Sequence, residues 1–286
     1  MSKPFNSNAL ICPSCATNNF SISDSKLKCN VCLNNFDFLN DVYYFKAFNH
    51  DQVTDNFDKI KYFLKNNSKI YDLLIKILSP VYPSLRIQKF IKTHIKTTGV
   101  VAINLGSGNS NISDKVSNID IFPYKNVNIV CDIEHIPIAN NSVDIIFITG
   151  VLEHVTSPEK VISEIYRILK PEGIVYSFMP FIQPFHASPN DFSRRTYEGI
   201  KVLFNKFETI ELSSAGGPTS GMLWIVQEWL TLVLSLGIKQ LHTIIYLIIM
   251  LFTFPLKYLD IILMKLPMSK NISSGFLYIG KKIHIL

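Results

Sequence analysis

Apolar positions along the central part of the chain fall into short β-rich runs separated by one clear helical segment. Between Gly99 and about Ser214 the runs 100–105, 118–121, 127–131, 143–149 and 173–179 read as strands. Over 158–169 the period changes to that of a helix: Val161, Ile162, Ile165, Ile168 and Leu169 form one apolar face. Ser157 stands at the capping position, Pro158 at the first helical one, and Pro171 with Gly173 closes the segment. Strands alternating with helical segments predict βαβ units around a parallel sheet.

Two other stretches have different patterns. Residues 41–97 read as a helical connector, with Phe57, Ile60, Tyr62, Phe63, Leu64, Tyr71, Leu73, Leu74, Ile75, Ile77 and Leu78 near helical spacing before Pro80 and Pro83. From Gln240 to Leu256 seventeen residues pass without Asp, Glu, Lys or Arg. As a helix this run is roughly 25 Å long, a little short of the ~30 Å hydrocarbon layer. Met222–Ile238 is nearly as apolar but holds Glu228, and beyond Pro255 the spacing of Lys257, Asp260 and Lys265 predicts a helix with a polar edge. The expectation is a pair of helices lying in or dipping into one leaflet, the alternative a helical hairpin buried in a dimer interface.

Composition accounts for the surplus of apolar residues without assigning a partner. The 286 residues are 48% hydrophobic and 17% charged, with a mean hydropathy of +0.22, which excludes disorder. A formal charge of +6 without dense Lys/Arg clusters makes nucleic acid an unlikely partner. Five cysteines, four of them in the first 32 residues, are too few and too clustered for a disulfide scaffold. With no apolar run at the N-terminus, a reducing cytosolic setting is expected. The four form two knuckles, Cys12-Pro-Ser-Cys15 and Cys29-Asn-Val-Cys32, thirteen residues apart. That spacing predicts a zinc ribbon with a closed, structural Zn²⁺; a redox pair of thiols is the alternative. Cys131 lies in a predicted strand and reads as core.

Candidate chemistry begins at Ile103-Asn104-Leu105-Gly106-Ser107-Gly108-Asn109-Ser110, a glycine turn after an apolar strand. Such a turn brings backbone close to a ligand at the carboxyl edge of a sheet. A dinucleotide site would have a third glycine at the position of Asn111, and no Gly-Lys-Ser/Thr follows for a P-loop. Asp120, twelve residues after Gly108, ends the next strand and is placed to accept ribose hydroxyls.

These residues resemble the class I S-adenosylmethionine-dependent methyltransferases, of the methyltransferase type 11 kind found with surface-polysaccharide synthesis. The similarity rests on Asn104 to Gly108, Asp120, Asp132 within Cys131-Asp132-Ile133-Glu134-His135-Ile136-Pro137, Leu152-Glu153-His154 after Asp144-Ile145-Ile146-Phe147, and Leu169-Lys170-Pro171-Glu172-Gly173. It covers about 98–213, with Gly275 to Lys281 resembling the family's last strand. Asn104 replaces the usual acid, Ser110 the usual third glycine, and the first helix is truncated. The resemblance implies a Rossmann-like α/β fold, mostly parallel. It also implies cofactor contacts from Asn104, Gly106, Gly108, Asp120, Asp132, Ile133, Leu152 and Glu153. Shifts in composition, taken with this resemblance, give a ribbon at 1–40, a connector at 41–97, a methyltransferase domain at 98–220 plus 269–286, and an apolar insertion at 221–268.

Past the fifth strand, Phe185 to Thr196 gathers His186, Asp191, Arg194 and Arg195 where an acceptor would sit. His186 is the candidate catalytic base, with Asp191 orienting it or sharing the role, and His154, Arg194 and Arg195 are candidate acceptor contacts; the competing reading is a loop whose Asp pairs with Arg. The spacing His-x-x-Pro-x-Asp-x-x-Arg-x-Thr is similar to that of methyltransferases of surface-polysaccharide synthesis. That similarity implies O-methylation of a glycan or lipid-linked sugar at the cytoplasmic face of a membrane. Methylation of RNA through the ribbon and a non-catalytic membrane-tethered scaffold are the alternatives. Oligomeric state is left open.

Overall fold

The computed structural model describes residues 9–46, 77–82, 86–96, 99–186 and 190–283. Much of the expected connector, including Phe57 through Ile75 and Pro83, lies outside the described residues. Eleven strands form one sheet: β1 (Phe20–Ser23), β2 (Lys26–Cys29), β3 (Asn35–Leu39), β4 (Val42–Tyr44), β5 (Ala102–Leu105), β6 (Ser117–Asp120), β7 (Ile129–Val130), β8 (Val143–Thr149), β9 (Leu169–Pro180), β10 (Phe207–Ala215) and β11 (Gly275–Lys282). Their spatial order is β1-β2-β3-β4-β7-β6-β5-β8-β9-β11-β10. From β7 to β9 neighbours run parallel; β11 inserts antiparallel between β9 and β10. The result is a doubly wound Rossmann-like sheet whose strand order reverses between β5 and β8, where such sheets bind ligands.

The first four strands form an antiparallel meander that joins the main sheet at its edge, Tyr43 and Tyr44 pairing parallel with Ile129 and Val130 of β7. The meander runs on to Tyr44, four residues past the composition boundary, because Val42 and Tyr43 pair back onto Leu39 and Phe38. Docking on β7 covers an edge that would otherwise present unpaired backbone.

Helices α1 (Arg86–His94) and α2 (Pro158–Ile168) cover opposite faces. On one, Phe90 and Ile91 of α1 pack with Ala102, Phe147, Tyr176 and Leu277. On the other, Val161, Ile162, Ile165 and Ile168 of α2 join Ile103, Leu105, Ile146 and Ile148. Alternate residues of β5 and β8 thus serve different helices, as the two-residue period of a strand requires. The start of α2 differs from expectation, since the Ser157 side chain makes no cap and Pro158 alone marks it. Its end also differs. Leu169 leaves in extended conformation and pairs directly with Val143, and Lys170–Gly173 bulge out before Ile174 pairs with Ile145. The shortened first crossover has no helix; residues 106–116 are turns and bends.

A third helix, α3 (Tyr197–Leu203), precedes β10. Between β10 and β11 the chain leaves the sheet as a hairpin of α4 (Pro218–Ser235) and α5 (Lys239–Thr253), returning through the short α6 (Asp260–Leu263). Its polarity is inverted. The buried seam of α4 carries Gln227, Thr231 and Ser235, while Ile225, Val226, Trp229, Leu232, Val233 and Leu234 face outward. Nothing on α5 is buried, and Leu247, Ile248, Leu251 and Phe252 are each half exposed or more. Gln227 donates through Nε2 to Thr253 Oγ1 at 2.7 Å across the seam. From Lys239 to Leu263 the helical run is long and apolar enough to cross a membrane.

The hairpin base is fixed by charges that the sequence pattern places on a solvent-facing edge. Asp260 is instead fully buried and caps α4, accepting from Thr219 N (2.8 Å), Ser220 N (2.8 Å) and Ser220 Oγ (2.6 Å). A negative charge at three helix N-terminal donors is favourable with both hydrogen bonding and the helix dipole. Only glycine fits beside it, since a Cβ on Gly217 would fall 2.1 Å from the Asp260 carboxyl carbon. Lys257, also fully buried, donates to the carbonyls of Ile77 and Ser79 at 2.7 Å each.

Candidate active site

The C-terminal ends of β5, β6, β7 and β8 bring together the residues expected around a cofactor. Past β5, Gly106 and Gly108 both adopt left-handed backbone, with φ of +64° and +54°. Gly106 also lies against Val151, where a Cβ would meet its Cγ2 at 2.4 Å. Asp120 at the end of β6 holds this turn. One carboxylate oxygen accepts from Gly108 N at 2.7 Å and the other from Phe122 N at 2.9 Å. The side chain is nearly buried, and burial pushes its pKa up despite those two donors. Asp132, just past β7, stays half exposed, accepts from Glu134 N at 3.0 Å and lies 3.8 Å from Lys46. Ile133 beside it is buried.

Asn104 does not point into this edge as a free donor. It is 3% exposed and gives its Nδ2 to Asn118 Oδ1 at 3.2 Å across the β5–β6 pair. Asn118 in turn is held by Asn126 O and Asn128 Oδ1. An amide in place of an acid thus lets β5 and β6 share a buried hydrogen-bond chain with no charge to neutralise.

After β8 a single 3-10 turn, Leu152–His154, buries Leu152 and Glu153. Glu153 Oε1 lies 3.7 Å from His154 Nε2, and Oε2 is buried with no partner. Burial raises its pKa. The backbone carbonyl of Glu153 accepts from Phe192 N at 2.8 Å, so Phe192, past β9, is pinned over this turn. His154 Nδ1 bonds Asn190 O, and the His154 and His186 rings meet edge to face, centroids 5.4 Å apart.

The loop after β9 corrects three expectations. Asp191 does not orient the His186 ring: its carboxylate takes both ends of the Arg194 guanidinium and accepts from His186 N at 2.9 Å, the ring nitrogen being 3.8 Å away. The Arg194 fork holds the Asp191 carboxyl down at about 2. Asp191 therefore shapes the loop. Arg194 is committed to Asp191, Ser193 O and Pro184 O, and Arg195 turns away to Glu159 at 2.5 Å. The remaining loop surface is an open cleft of about 270 Å³ lined by Gln183, Phe185, Asp191, Phe192, Ser193 and Arg194. One contact escaped sequence reasoning: Trp224 of α4 stacks on His186, centroids 5.7 Å apart. Residues 38 apart in the chain, in segments assigned to different domains, carry no local signal of such a contact.

The four ribbon cysteines converge as their spacing predicts. All four sulfurs lie within 4.8 Å of one another, with Cys12–Cys32 and Cys15–Cys29 each at 3.5 Å. A Zn–S bond of ~2.3 Å gives a tetrahedral edge of roughly 3.8 Å, so the donor set fits that ion. The two knuckles repeat one geometry: Ala16 N donates to Cys12 O and Leu33 N to Cys29 O, and Ala16 and Leu33 both take φ near +60°, at +58° and +63°. The N–H groups of Cys32 and Val31 pull the Cys29 thiol down to about 6, whereas Cys32, despite the Asn34 N–H, is pushed up to about 12 by burial and its neighbouring thiols, and Cys15 also moves upward.

Residues 96–177 match the family model of the methyltransferase domain, a span that includes the glycine turn and the β8 turn. A curated relative, a ubiquinone/menaquinone biosynthesis C-methyltransferase of Haemophilus ducreyi, is 28% identical over 131 residues, 45% of this chain. The chain spans 45% of that relative's length. Among solved structures, a putative sarcosine dimethylglycine methyltransferase from Galdieria sulphuraria matches at TM-score 0.48 and 14% identity, covering 80% of this chain and 99% of that one. A Haemonchus contortus phosphoethanolamine N-methyltransferase in complex with S-adenosyl-L-methionine matches at 0.48 and 15%, covering 84% and 62%.

Proposed function

We propose that this protein is an S-adenosylmethionine-dependent methyltransferase that acts at a membrane surface, on a hydroxyl of a glycan or lipid-linked sugar. The cofactor reading is supported by the methyltransferase-domain match over 96–177 and by the turn built from Gly106, Gly108 and Asp120 at the strand-order reversal. Gly106, Gly108, Asp120, Asp132, Ile133 and Leu152 would hold the cofactor, which supplies a methyl group on a sulfonium. Its transfer is an in-line displacement, so the chain's main task is alignment in a water-poor site.

The observation that carries the membrane reading is the stacking of His186 on Trp224, which ties the acceptor loop to the base of the inverted hairpin. A hairpin with a polar seam and an apolar exterior suits lipid, where the seam's hydrogen bonds replace a hydrophobic core. Its α4 is about 27 Å long by its 18 residues, enough to reach deep into a bilayer. The exposed Phe185 and Phe192 offer flat apolar faces on which a sugar ring stacks. The ribbon would hold one structural zinc on Cys12, Cys15, Cys29 and Cys32.

Incubating the full chain with methyl-labelled S-adenosylmethionine and membrane extract of its source cells tests the acceptor. Label is expected in the organic-extractable lipid-linked fraction, released with the sugar by mild acid. Label that is sensitive to ribonuclease, or that stays in the aqueous small-molecule fraction, contradicts the assignment.

A further inference from the structure

We propose that Glu153, His154 and His186 form a binding site for a divalent first-row transition ion, on which the acceptor hydroxyl is held. The inference rests on the methyltransferase reading only for what the ion does, not for its binding.

One ligand atom from each of the three side chains lies within 4.8 Å of the others, a spread that an ion with ~2.1 Å bonds can span. His154 turns its Nε2 to the carboxylate, 3.7 Å from Glu153 Oε1, and both rings set Nδ1 beside a backbone carbonyl. His154 Nδ1 bonds the carbonyl of Asn190 and His186 Nδ1 that of Pro184 at 3.1 Å. A carbonyl only accepts, so an Nδ1 that pairs with it carries the proton and leaves the Nε2 lone pair to an ion. That is the outer-sphere arrangement that orients histidine ligands in metal sites. Arg194 Nη2, 3.2 Å from both Pro184 O and His186 Nδ1, competes as a donor to that nitrogen, and an ion on Nε2 would turn the Nδ1 proton toward Pro184 O. Asp191 cancels the guanidinium charge beside the site.

The second observation is Glu153 itself. Its side chain is 2% exposed, and its Oε2 has no hydrogen-bond partner. A buried, unpaired carboxylate oxygen costs more than a neutral polar group left in the same state, and a cation beside two imidazole lone pairs would satisfy it. Two histidines and one carboxylate on one side of an ion leave positions open on the other.

An acceptor hydroxyl in such a position loses its proton to solvent more readily. The alkoxide oxygen then bonds the methyl carbon as the carbon–sulfur bond breaks. The bonding pair stays on sulfur, leaving S-adenosylhomocysteine. His154 and His186 would in this way act together through the ion, and neither needs to be a lone base.

The test separates this site from the ribbon and from the cofactor. Protein first loaded with Zn²⁺ to fill the cysteines is titrated with Co²⁺, followed by visible absorption and by calorimetry. One further ion per chain is expected, with weak bands of nitrogen and oxygen ligation and no near-ultraviolet thiolate charge transfer. Affinity should fall more than about tenfold in both His186→Ala and Glu153→Gln. His186→Ala alters a partly exposed ring on a loop, so it stays informative if the buried Glu153→Gln misfolds. No Co²⁺ uptake beyond the zinc, or uptake unchanged in His186→Ala, overturns the proposal. S-adenosylhomocysteine binding, measured in parallel, reports separately on the methyltransferase reading.

Discussion

At the residue scale, the groups that hold the site in shape differ from those that would touch ligands. The sequence marks only some of the first kind. Arg167 is the clearest case. From α2 it reaches Glu164 through two nitrogens at 2.8 and 2.7 Å, the carbonyls of Ile136 and Ile138 at 2.7 Å each, and Asn140 Oδ1 at 2.8 Å. Glu164 also accepts from Ile136 N at 2.9 Å. One arginine thereby fixes the whole loop between Asp132 and β8. Replacing it by methionine removes the arginine donors from Ile138 O and from both Glu164 oxygens, leaving Glu164 only the Ile136 N–H and Ile136 O only the Ile138 N–H. The expected loss is about 2–4 kcal/mol in urea denaturation; a loss under about 0.5 kcal/mol would mean the network is idle. Burial by itself pushes the Glu164 carboxyl up, but the Arg167 fork and the Ile136 N–H outweigh it, and the net shift is downward. A folded pKa below the unfolded value of ~4.3 means this contribution is complete above that pH and is lost as pH falls below it. Denaturation curves of the wild type and Arg167→Met should therefore converge on acidification. Curves equally far apart at pH 3 and pH 7 would contradict the assignment. In sequence Arg167 looks like an ordinary charge on the solvent side of an amphipathic helix, because its partners come from a loop some thirty residues earlier.

At the element scale, legibility followed locality. The 143–149 strand is found at its expected bounds and the helix at 158–169 within one residue, because each repeats its own period and is bounded by turn residues or proline. The convergence of Cys12, Cys15, Cys29 and Cys32 was legible for the same reason, two knuckles of local geometry. The end of α2 was not, since Pro171 and Gly173 serve a bulge created by pairing with Val143 and Ile145, a tertiary fact. The insertion was half legible. Its apolar stretch shows in composition, but the polar seam of Gln227, Thr231 and Thr253, and the burial of Lys257 and Asp260, depend on two helices meeting. Trp229, 60% exposed on α4, reports on what covers that surface. In a Trp224→Phe variant it is the sole tryptophan. Its emission should move to shorter wavelength on addition of phospholipid vesicles and become accessible to quenchers placed in the acyl chains. Emission that is already blue-shifted without lipid, and unchanged by vesicles, would instead point to a protein–protein cover.

At the scale of the whole molecule, one sheet joins three parts with different chemistry. The N-terminal meander extends its β7 edge, the glycine turn and Asp120 occupy its centre, and the hairpin leaves between β10 and β11 to return its base against His186 of the loop after β9. This arrangement places the glycine turn between a flank with four clustered cysteines and an apolar one, and the account stands or falls on the central part. The most direct measurement is calorimetric titration of the detergent-solubilised protein with S-adenosylhomocysteine, beside an Asp120→Asn variant. Asn keeps the size of Asp120 but sets an amide N–H against either Gly108 N or Phe122 N, which opens the turn. Micromolar binding in the wild type, lost by more than about a hundredfold in a variant that remains folded, is the predicted result. A folded wild-type protein that takes up no S-adenosylhomocysteine, or a variant that binds it equally well, would contradict the assignment of this turn as the cofactor site.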